Sequence, residues 1–459
     1  MIYDTIAAVT TAPGKAAVGI VRLSGPDAFS IADQIFSGKS GVSVFDQRNY
    51  ALAYGRAVDG GRTVDEVLLL KMQSPRSFTG EDVAEIQAHG GSVVLNRILR
   101  AAIKKGARLA EPGEFSKRAF IHGKMDLVQA EAMADLIQAD HELLAETAAD
   151  QMSGALTDIV EAMADKLLDW TAMLEASIDY PEEELENQEN DQWREGLLAM
   201  CSEMDGLLLS LDRGKIIRQG LRVVLAGKPN VGKSSIMNAL LDEERAIVTH
   251  IPGTTRDTLE ESVLIEGAPI VLVDTAGLGE TEDPVERIGI ERARRAMEGA
   301  DLVLYVLEVN KEIDREILGE IKALDPDKTV ILLNKMDLKP ELEWERTLCY
   351  LTWGWDQLRV SALKGEGLDR VARCLRDRFL AGTQNENGPA CLINARHGAA
   401  LAKAKEALVH ALAALDGGIP LDMISIDLRQ AWMSLGEMTG SVSDEDIIDR
   451  IFSKFCLGK

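Results

Sequence analysis

The chain has 459 residues, of which 46% are apolar and 27% are charged. This balance predicts a globular protein of about three domains and excludes collagen-like and fully disordered chains. Its 50 basic and 75 acidic residues give a net charge of −25, so any contact with nucleic acid must be confined to a local basic patch.

Three features of the sequence concern the compartment. No apolar run reaches the roughly 18 residues that a membrane-spanning helix needs. The first residues, MIYD, lack the basic start of a signal peptide. The five cysteines are scattered and form no C-x-x-C pair, which is typical of a reducing environment. We therefore predict a cytoplasmic protein with no membrane association.

Residues 1–120 are predicted to form a mixed α+β domain, because small and β-branched residues at 5–23 and a run at 64–72 are typical of strands. From residue 121 the sequence has helical periodicity, with apolar residues recurring three and four positions apart up to about residue 180. The acidic stretch 182–195 is predicted to be a solvated, mobile connection. A second helical run then extends to about residue 211.

From residue 221 short apolar strands at 221–226, 270–273, 302–307 and 330–333 alternate with helical stretches. This alternation predicts a doubly wound parallel sheet. Apolar residues at helical spacing occur again at 401–415 and at 424–435, and each set predicts one apolar face of a helix. Neither flanking helical block completes a domain, so residues 216–380 are predicted to be inserted between the two parts, 121–215 and 381–459, of one discontinuous helical domain.

A phosphate-binding motif follows the first of these strands. Residues 227–234 read GKPNVGKS and match the P-loop pattern GxxxxGK[ST] between a strand and a helix. In such a loop backbone N–H groups close around the phosphates, Lys233 places a positive charge on the β and γ oxygens, and the Ser234 hydroxyl ligates Mg²⁺. The motif predicts a Ras-like nucleoside triphosphate site.

Two further motifs, each at the end of a buried strand, complete the nucleotide site. Residues 274–277 read DTAG, which brings Asp274 to Mg²⁺ and the Gly277 N–H to the γ-phosphate. Residues 334–337 read NKMD, and the Asp337 carboxylate can accept hydrogen bonds from guanine N1–H and the exocyclic amine. Adenine lacks that donor pair, and an unpaired buried acceptor costs about 1–3 kcal/mol. With a base-contacting loop at Ser361 and Ala362, the motifs predict GTP as the nucleotide.

The remaining switch segment reads GTTRD at 253–257, and Thr255 is predicted to ligate Mg²⁺ when the γ-phosphate is present. Leu278 occupies the position at which Ras-like enzymes carry a water-orienting Gln. Hydrolysis must therefore be activated in another way.

At this point the chain resembles a known family over nearly its whole length. The segments THIPGTTRD at 249–257, DTAGL at 274–278, VERIGIER at 285–292 and CLGK at 456–459 resemble the MnmE (TrmE) family of bacterial and organellar tRNA-modification GTPases. Further similar segments lie at 21–25, 75–83, 90–91, 112–115 and 124–127.

The resemblance implies an N-terminal folate-binding and dimerisation domain, a discontinuous helical domain and an inserted P-loop GTPase domain. It also implies a homodimer that joins an FAD-containing flavoprotein of the MnmG (GidA) family as a heterotetramer. Together they would add an aminomethyl-type group, such as carboxymethylaminomethyl, to C5 of the tRNA wobble uridine. The one-carbon donor would be a reduced folate, 5-formyl- or 5,10-methylene-tetrahydrofolate, held by Arg22, Glu81, Lys124 and Lys459. Taken singly, without the family resemblance, each of these four reads as an ordinary surface charge.

The resemblance also implies how hydrolysis is activated. Asn230 and backbone carbonyls around Thr249, Ile251 and Thr254 would hold K⁺ where other GTPases receive an arginine finger, a group that contributes about 10³- to 10⁵-fold in rate. Glu286 would orient the attacking water, although outside the family context it reads as a surface residue of an acidic run. Cys456 has two readings, a thiol role near the one-carbon chemistry and structural burial.

Motifs and resemblance together predict one nucleotide site with Mg²⁺ and K⁺. Its catalytic residues would be Glu286, Thr255 and Asn230, joined by Cys456 at the folate site. Its GTP-binding residues would be Asn230, Val231, Gly232, Lys233, Ser234, Ser235, Thr249, Thr254, Thr255, Asp274, Thr275, Ala276, Gly277, Asn334, Lys335, Asp337, Ser361 and Ala362.

Two alternatives remain open at the level of sequence. One is an RNA-associated GTPase, such as a ribosome-assembly factor, that modifies nothing. The other is a GTP-dependent scaffold without one-carbon chemistry. Binding of reduced folate distinguishes both from the modification enzyme.

Overall fold

The computed structural model describes residues 4–39, 41–179, 187–242, 247–248, 260–274, 294–311, 314–338, 354–383, 393–442, 445–453, 455 and 458. The chain divides into two compact units. The first comprises Met1–Ala134, Gln151–Cys201 and Ala400–Lys459, and the second comprises Asp135–Asp150 and Ser202–Ala399.

The first unit contains a mainly antiparallel sheet in the order β3-β4-β5-β6-β2-β1-β7. Among the described strands of this sheet, only β1 and β7 pair in parallel. Helices α1, α2 and α3 accompany the sheet, and α1 and α2 cover one apolar face. The bounds are β1 Ile6–Val9, β2 Ala16–Ser24, α1 Ala28–Ile35, β3 Phe36–Gly38, β4 Leu52–Asp59, β5 Arg62–Met72, β6 Val83–Gly90, α2 Ser92–Lys104, β7 Arg108–Leu109 and α3 Glu114–Ile121. The predicted mixed α+β fold of this region is confirmed.

Long helices make up the rest of the first unit and enter the second. Helix α6 packs lengthwise on α12, and the predicted stripe of Ile424, Leu428, Ala431 and Leu435 is buried on α12. The bounds are α4 Leu127–Gln138, α5 Glu142–Met152, α6 Ala155–Asp179, α7 Asn187–Gln219, α11 Ala395–Asp416, α12 Leu421–Thr439 and α13 Glu445–Phe452. None of the described helices is both long enough and apolar enough to cross a membrane.

The prediction of a mobile connection at 182–195 is wrong for its second half. Helix α7 already begins at Asn187 and continues to Gln219, beyond the expected end near residue 211. Trp193 on its first turns lies 6.2 Å from the ring of Trp170 on α6. Acidic residues are also favourable at the start of a helix, because its N-terminus carries a partial positive charge. Packing and the helix dipole therefore override the polar composition.

The second unit is built on a sheet in the order β14-β13-β12-β8-β11-β10-β9. Helices α8 and α10 cover one face, and α9 contributes Ile321 to the core of the other. The bounds are β8 Leu221–Ala226, α8 Lys233–Asp242, β9 Ile247–Val248, β10 Glu260–Ile265, β11 Ala268–Asp274, β12 Leu302–Glu308, α9 Arg315–Ala323, a 3₁₀ turn Pro326–Lys328, β13 Thr329–Asn334, β14 Asp356–Arg359 and α10 Leu368–Thr383. The predicted doubly wound sheet is confirmed.

One edge of this sheet departs from the predicted parallel arrangement. Strand β10 runs antiparallel to both β11 and β9. Glu266 and Gly267, both with positive φ, form the whole connection between β10 and β11. A parallel pair needs a crossover of a dozen or more residues, so a two-residue turn permits only the antiparallel pairing.

Candidate functional site

The phosphate-binding loop joins the end of β8 to the start of α8. Gly227 has φ +130°, and a Cβ there would lie 2.4 Å from the Val306 carbonyl oxygen. The Lys233 side chain is buried, and its Nζ donates to the carbonyls of Gly227 at 2.8 Å and Lys228 at 2.9 Å. The ammonium thus lies across the loop at the N-terminus of α8, where backbone N–H groups and the helix dipole favour phosphate.

Two residues predicted to contact Mg²⁺, Ser234 and Asp274, lie together beside this loop. The Ser234 Oγ donates to Asp274 Oδ2 at 2.6 Å, and Asp274 is buried at the end of β11. Strand β11 pairs directly with β8, so the register of the sheet brings the carboxylate to the start of α8. A hydroxyl and a carboxylate are oxygen ligands of the kind that Mg²⁺ prefers.

Asn334 connects three parts of the nucleotide site. From the end of β13 its Nδ2 donates to the Val231 carbonyl at 2.8 Å, and its Oδ1 accepts from the Ala362 N–H at 3.1 Å. A Cβ at Gly232 would lie 2.2 Å from that same Nδ2, so this P-loop position admits only glycine. The NKMD motif therefore fixes both the P-loop and the loop after β14.

Asp337 is held in an orientation suited to base recognition. Its Oδ1 accepts a hydrogen bond of 2.6 Å from the buried Ser361 hydroxyl. That hydrogen bond is the main cause that lowers the pKa of Asp337 below its usual value. The carboxylate therefore remains ionised, with Oδ2 available to the donor edge of guanine.

A second group of predicted residues lies in the first unit. The Arg22 Nε on β2 donates to Glu85 at 2.7 Å, and its guanidinium carbon lies 5.4 Å from the Phe78 ring centroid and 5.5 Å from that of Phe115. Lys124 is exposed and lies close to Gly80, since a Cβ at Gly80 would be 3.2 Å from the Lys124 Cε. Phe115 is fully buried beneath Arg22, whereas Phe78 is partly exposed and Lys124 is exposed.

Glu81 is the most constrained member of this group. It accepts a hydrogen bond of 2.6 Å from Ser24 and bonds of 3.1 and 3.2 Å from Arg118. Arg118 is completely buried and also binds Asp4 at 2.7 Å and Glu114 at 3.0 Å. These bonds fix the carboxylate in one orientation.

The C-terminal segment packs near the same surface. Phe452 and Phe455 belong to one apolar cluster with Phe78 and Phe120. Gly458 has φ +92°, and a Cβ there would lie 2.4 Å from the Val9 carbonyl oxygen. Gly458 therefore lies against the carboxyl-terminal end of β1.

Comparisons with known sequences identify the family of this chain. A family model described as the MnmE helical domain matches residues 127–456, and one described as the GTP-binding protein TrmE N-terminus matches residues 5–124. The chain is 43% identical to the tRNA modification GTPase MnmE of Bacillus subtilis strain 168, over 99% of this chain and 100% of the relative. It is 42% identical to the MnmE of Clostridioides difficile strain 630, over the full length of both.

The chain belongs to the MnmE family of tRNA-modification GTPases. As a member of this family it is an enzyme that hydrolyses GTP, which agrees with its P-loop and its NKMD motif. The fold class predicted from the family resemblance is thereby confirmed.

Several residues assigned to the sites of this MnmE-family chain lie outside the described residues. In the nucleotide site these are Thr249, Ile251, Thr254, Thr255, Thr275, Ala276, Gly277 and Glu286. At the C-terminus they are Cys456 and Lys459. Their roles stay predictions.

The structure also adds contacts that motif analysis missed. Lys335 binds the Asn230 carbonyl at 3.1 Å and Glu308 at 2.8 Å. Lys228 of the P-loop binds Asp314 at 2.9 Å and Glu316 at 2.6 Å. The available signal for Glu308 was a single acidic residue at the end of the apolar strand LVLYVLE.

Proposed function

We propose that this chain is a K⁺-dependent GTPase that works with an MnmG-type flavoprotein and a reduced folate. Together they would add an aminomethyl-type group, such as carboxymethylaminomethyl, to C5 of the tRNA wobble uridine. The observation that carries the proposal is a second polar surface in the first unit, formed by Arg22, Glu81 and Lys124 beneath the C-terminal segment. A GTPase that only times binding or clamps a partner has no need of such a surface.

The chemistry of that surface fits a reduced folate. The partly exposed Phe78 ring beside Arg22 suits a flat heterocycle, and the fixed Glu81 carboxylate suits its N–H edge. Lys124, with Lys459 at the chain end, suits the carboxylates of the glutamyl tail. Bound there, the folate would supply a one-carbon unit. Arg22, Glu81 and Lys124 would orient it, and Cys456 is assigned to the same region.

At the nucleotide site Ser234 and Asp274 suit Mg²⁺, with Thr255 as the further ligand expected from the switch segment. Lys233 would neutralise charge on the β and γ oxygens, and Asp337 would select guanine. Asn230, with carbonyls around Thr249, Ile251 and Thr254, would hold K⁺. Asn230 has φ +63°, a left-handed conformation that Asn adopts more readily than most residues, and its side-chain oxygen is a donor atom suited to a cation. Glu286 would orient the attacking water.

The proposal extends to the assembly and its location. We propose a homodimer that pairs two GTPase domains, a heterotetramer with the flavoprotein, and a cytoplasmic site of action on tRNA. The domain division at residues 120, 215 and 380 is part of the same proposal.

Exchange of the cation tests the proposed activation of hydrolysis. Replacing K⁺ by Na⁺ at constant ionic strength should lower kcat by at least about tenfold, since a cation in the arginine-finger position stabilises charge in the transition state. GTP affinity, which depends on Mg²⁺ and the base contacts, should change much less. Equal turnover in the two salts would refute the K⁺ mechanism.

Profiling of tRNA tests the modification itself. Deletion of the gene should remove the C5 modification of wobble uridine from digested tRNA measured by mass spectrometry, and the wild-type gene should restore it. An unchanged nucleoside profile would favour a GTPase that times or scaffolds an assembly.

A further inference from the structure

Glu308 is a buried acidic side chain at the carboxyl-terminal end of an inner strand of the GTPase sheet. It is the last residue of β12, and only 6% of its side chain is exposed. Burial alone would raise the pKa of this carboxyl, but hydrogen bonds from Lys335 and Lys311 outweigh burial and lower it. Glu308 is therefore charged, and a buried charge is costly unless its partners compensate it.

The sheet register brings Glu308 next to the base-recognition motif. Strands β12 and β13 are parallel, and Glu308 is paired with Asn334, the first residue of NKMD. The Val309 N–H donates to the Asn334 carbonyl at 3.2 Å, which continues this pairing beyond the strand. The carboxylate thus lies beside a motif that is distant in sequence.

Lys335 connects Glu308 to the P-loop. Its Nζ lies 2.8 Å from Glu308 Oε1 and donates to the Asn230 carbonyl at 3.1 Å. Lys335 and Asn230 both have positive φ, +64° and +63°. This conformation costs free energy in a residue with a side chain and persists only where surrounding contacts hold it.

The two lysines around Glu308 differ in their surroundings. Lys335 is 32% exposed and bridges to the nucleotide site, whereas Lys311 is 62% exposed and approaches Glu308 Oε2 at 3.0 Å from the solvent side. Only the Lys335 contact can transmit the position of the carboxylate to the base-recognition loop.

We propose that Glu308 is a positioning residue for nucleotide binding, which fixes Lys335 and, through it, the P-loop backbone at Asn230. Glu308 holds Lys335 and Asn230 in their left-handed conformations before nucleotide binds. It thereby keeps the base-binding loop and the P-loop at the spacing that the nucleotide requires. Its loss therefore lets the nucleotide leave faster. The proposal depends on the GTP site alone and is independent of K⁺ and folate.

A double-mutant cycle on the full-length chain tests the proposal. Release of a fluorescent GDP analogue is followed by stopped flow in wild type, Glu308→Gln, Lys335→Met and the double variant. Glu308→Gln should release GDP about tenfold faster, the effect of losing one charge-assisted hydrogen bond. The double variant should release GDP no faster than Lys335→Met, because Glu308 acts through that lysine.

Further variants separate positioning from general stability. Glu308→Asp keeps the charge with a shorter side chain and should release GDP at an intermediate rate. Lys311→Gln and the exposed control Glu298→Gln should stay within about twofold of wild type. A wild-type rate in Glu308→Gln, or an undiminished effect of that change in the Lys335→Met background, would overturn the proposal.

Discussion

Replacing Asp337 by Asn should transfer nucleotide preference from guanine toward xanthine. In the structure Ser361 donates to Asp337 Oδ1, which leaves Oδ2 as the oxygen expected to accept from the base. In the variant the same hydroxyl should keep bonding the amide oxygen, which turns the new NH₂ group toward the nucleotide. That group repels guanine N1–H but can donate to the C2 carbonyl of xanthine.

The size of the effect follows from the bonds exchanged. The variant loses hydrogen bonds to an ionised acceptor, each of which contributes about 1.5–3 kcal/mol, although some contact with the base remains. We expect a net loss of about 2–3 kcal/mol, which weakens GTP binding ~30- to 150-fold. Binding of xanthosine triphosphate should improve by a comparable factor.

Equilibrium titration with fluorescent GDP and xanthosine diphosphate analogues measures both affinities. Asp369→Asn, which removes one carboxylate from an exposed ion pair with Arg373, controls for the change in charge. Adding Ser361→Ala to Asp337→Asn should reduce the preference for xanthine, because the amide is then free to turn over. Unchanged GTP affinity in Asp337→Asn, with no gain for xanthine, would refute the assignment.

Three further predictions concern the folate surface, the hydrolytic step and the buried charges. Calorimetric titration with 5-formyltetrahydrofolate should show weaker binding by the chain that lacks Lys459 than by the full-length chain. Equal affinities of the two would show that Lys459 does not contact the folate. Glu286→Ala should lower kcat while GTP affinity stays nearly constant, because a water-orienting residue acts only in the transition state. Normal turnover in this variant would show that Glu286 is an ordinary surface residue without a role in hydrolysis. Burial alone would raise the pKa of Glu114, but hydrogen bonds, among them those from Arg108 and Arg118, outweigh burial and lower it. The ion pairs of Glu114 therefore stabilise the fold at neutral pH, and this stabilisation is lost as the pH falls through the lowered pKa. Arg118→Met should thus cost about 3–5 kcal/mol at pH 7 in denaturant unfolding, and the cost should narrow toward pH 4, whereas a pH-independent difference would contradict the assignment.

The sequence predicted a nucleotide site in detail because the motifs of such a site are local. A P-loop needs glycines, a lysine and a hydroxyl within eight consecutive residues, and each motif follows a strand of the same parallel sheet. The carboxyl ends of parallel strands meet at one edge, so Ser234, Asp274 and Asn334 were expected to converge, and they do. The predicted role of Asp337 rests on the same placement of its motif at the end of a parallel strand.

Composition was a poorer guide where packing decides the structure. The acidic residues after 187 form the start of α7, because Trp193 packs on Trp170. The antiparallel edge of the GTPase sheet depends on the turn at Glu266 and Gly267, whose significance is clear only once β10 and β11 are paired. In both places a local pattern was outweighed by contacts distant in sequence or by turn geometry.

The sequence alone therefore determined the fold class and the family, and it predicted the residues that contact GTP, since all three depend on short motifs and periodicity. Tertiary structure alone decided which charges are buried and what they hold. Glu308 reaches Lys335 only through the pairing of β12 with β13, and Arg118 gathers Asp4, Glu81 and Glu114 only when α3 packs beside the sheet. An isolated carboxylate has no motif, because its role depends on the partners that folding brings within hydrogen-bonding distance.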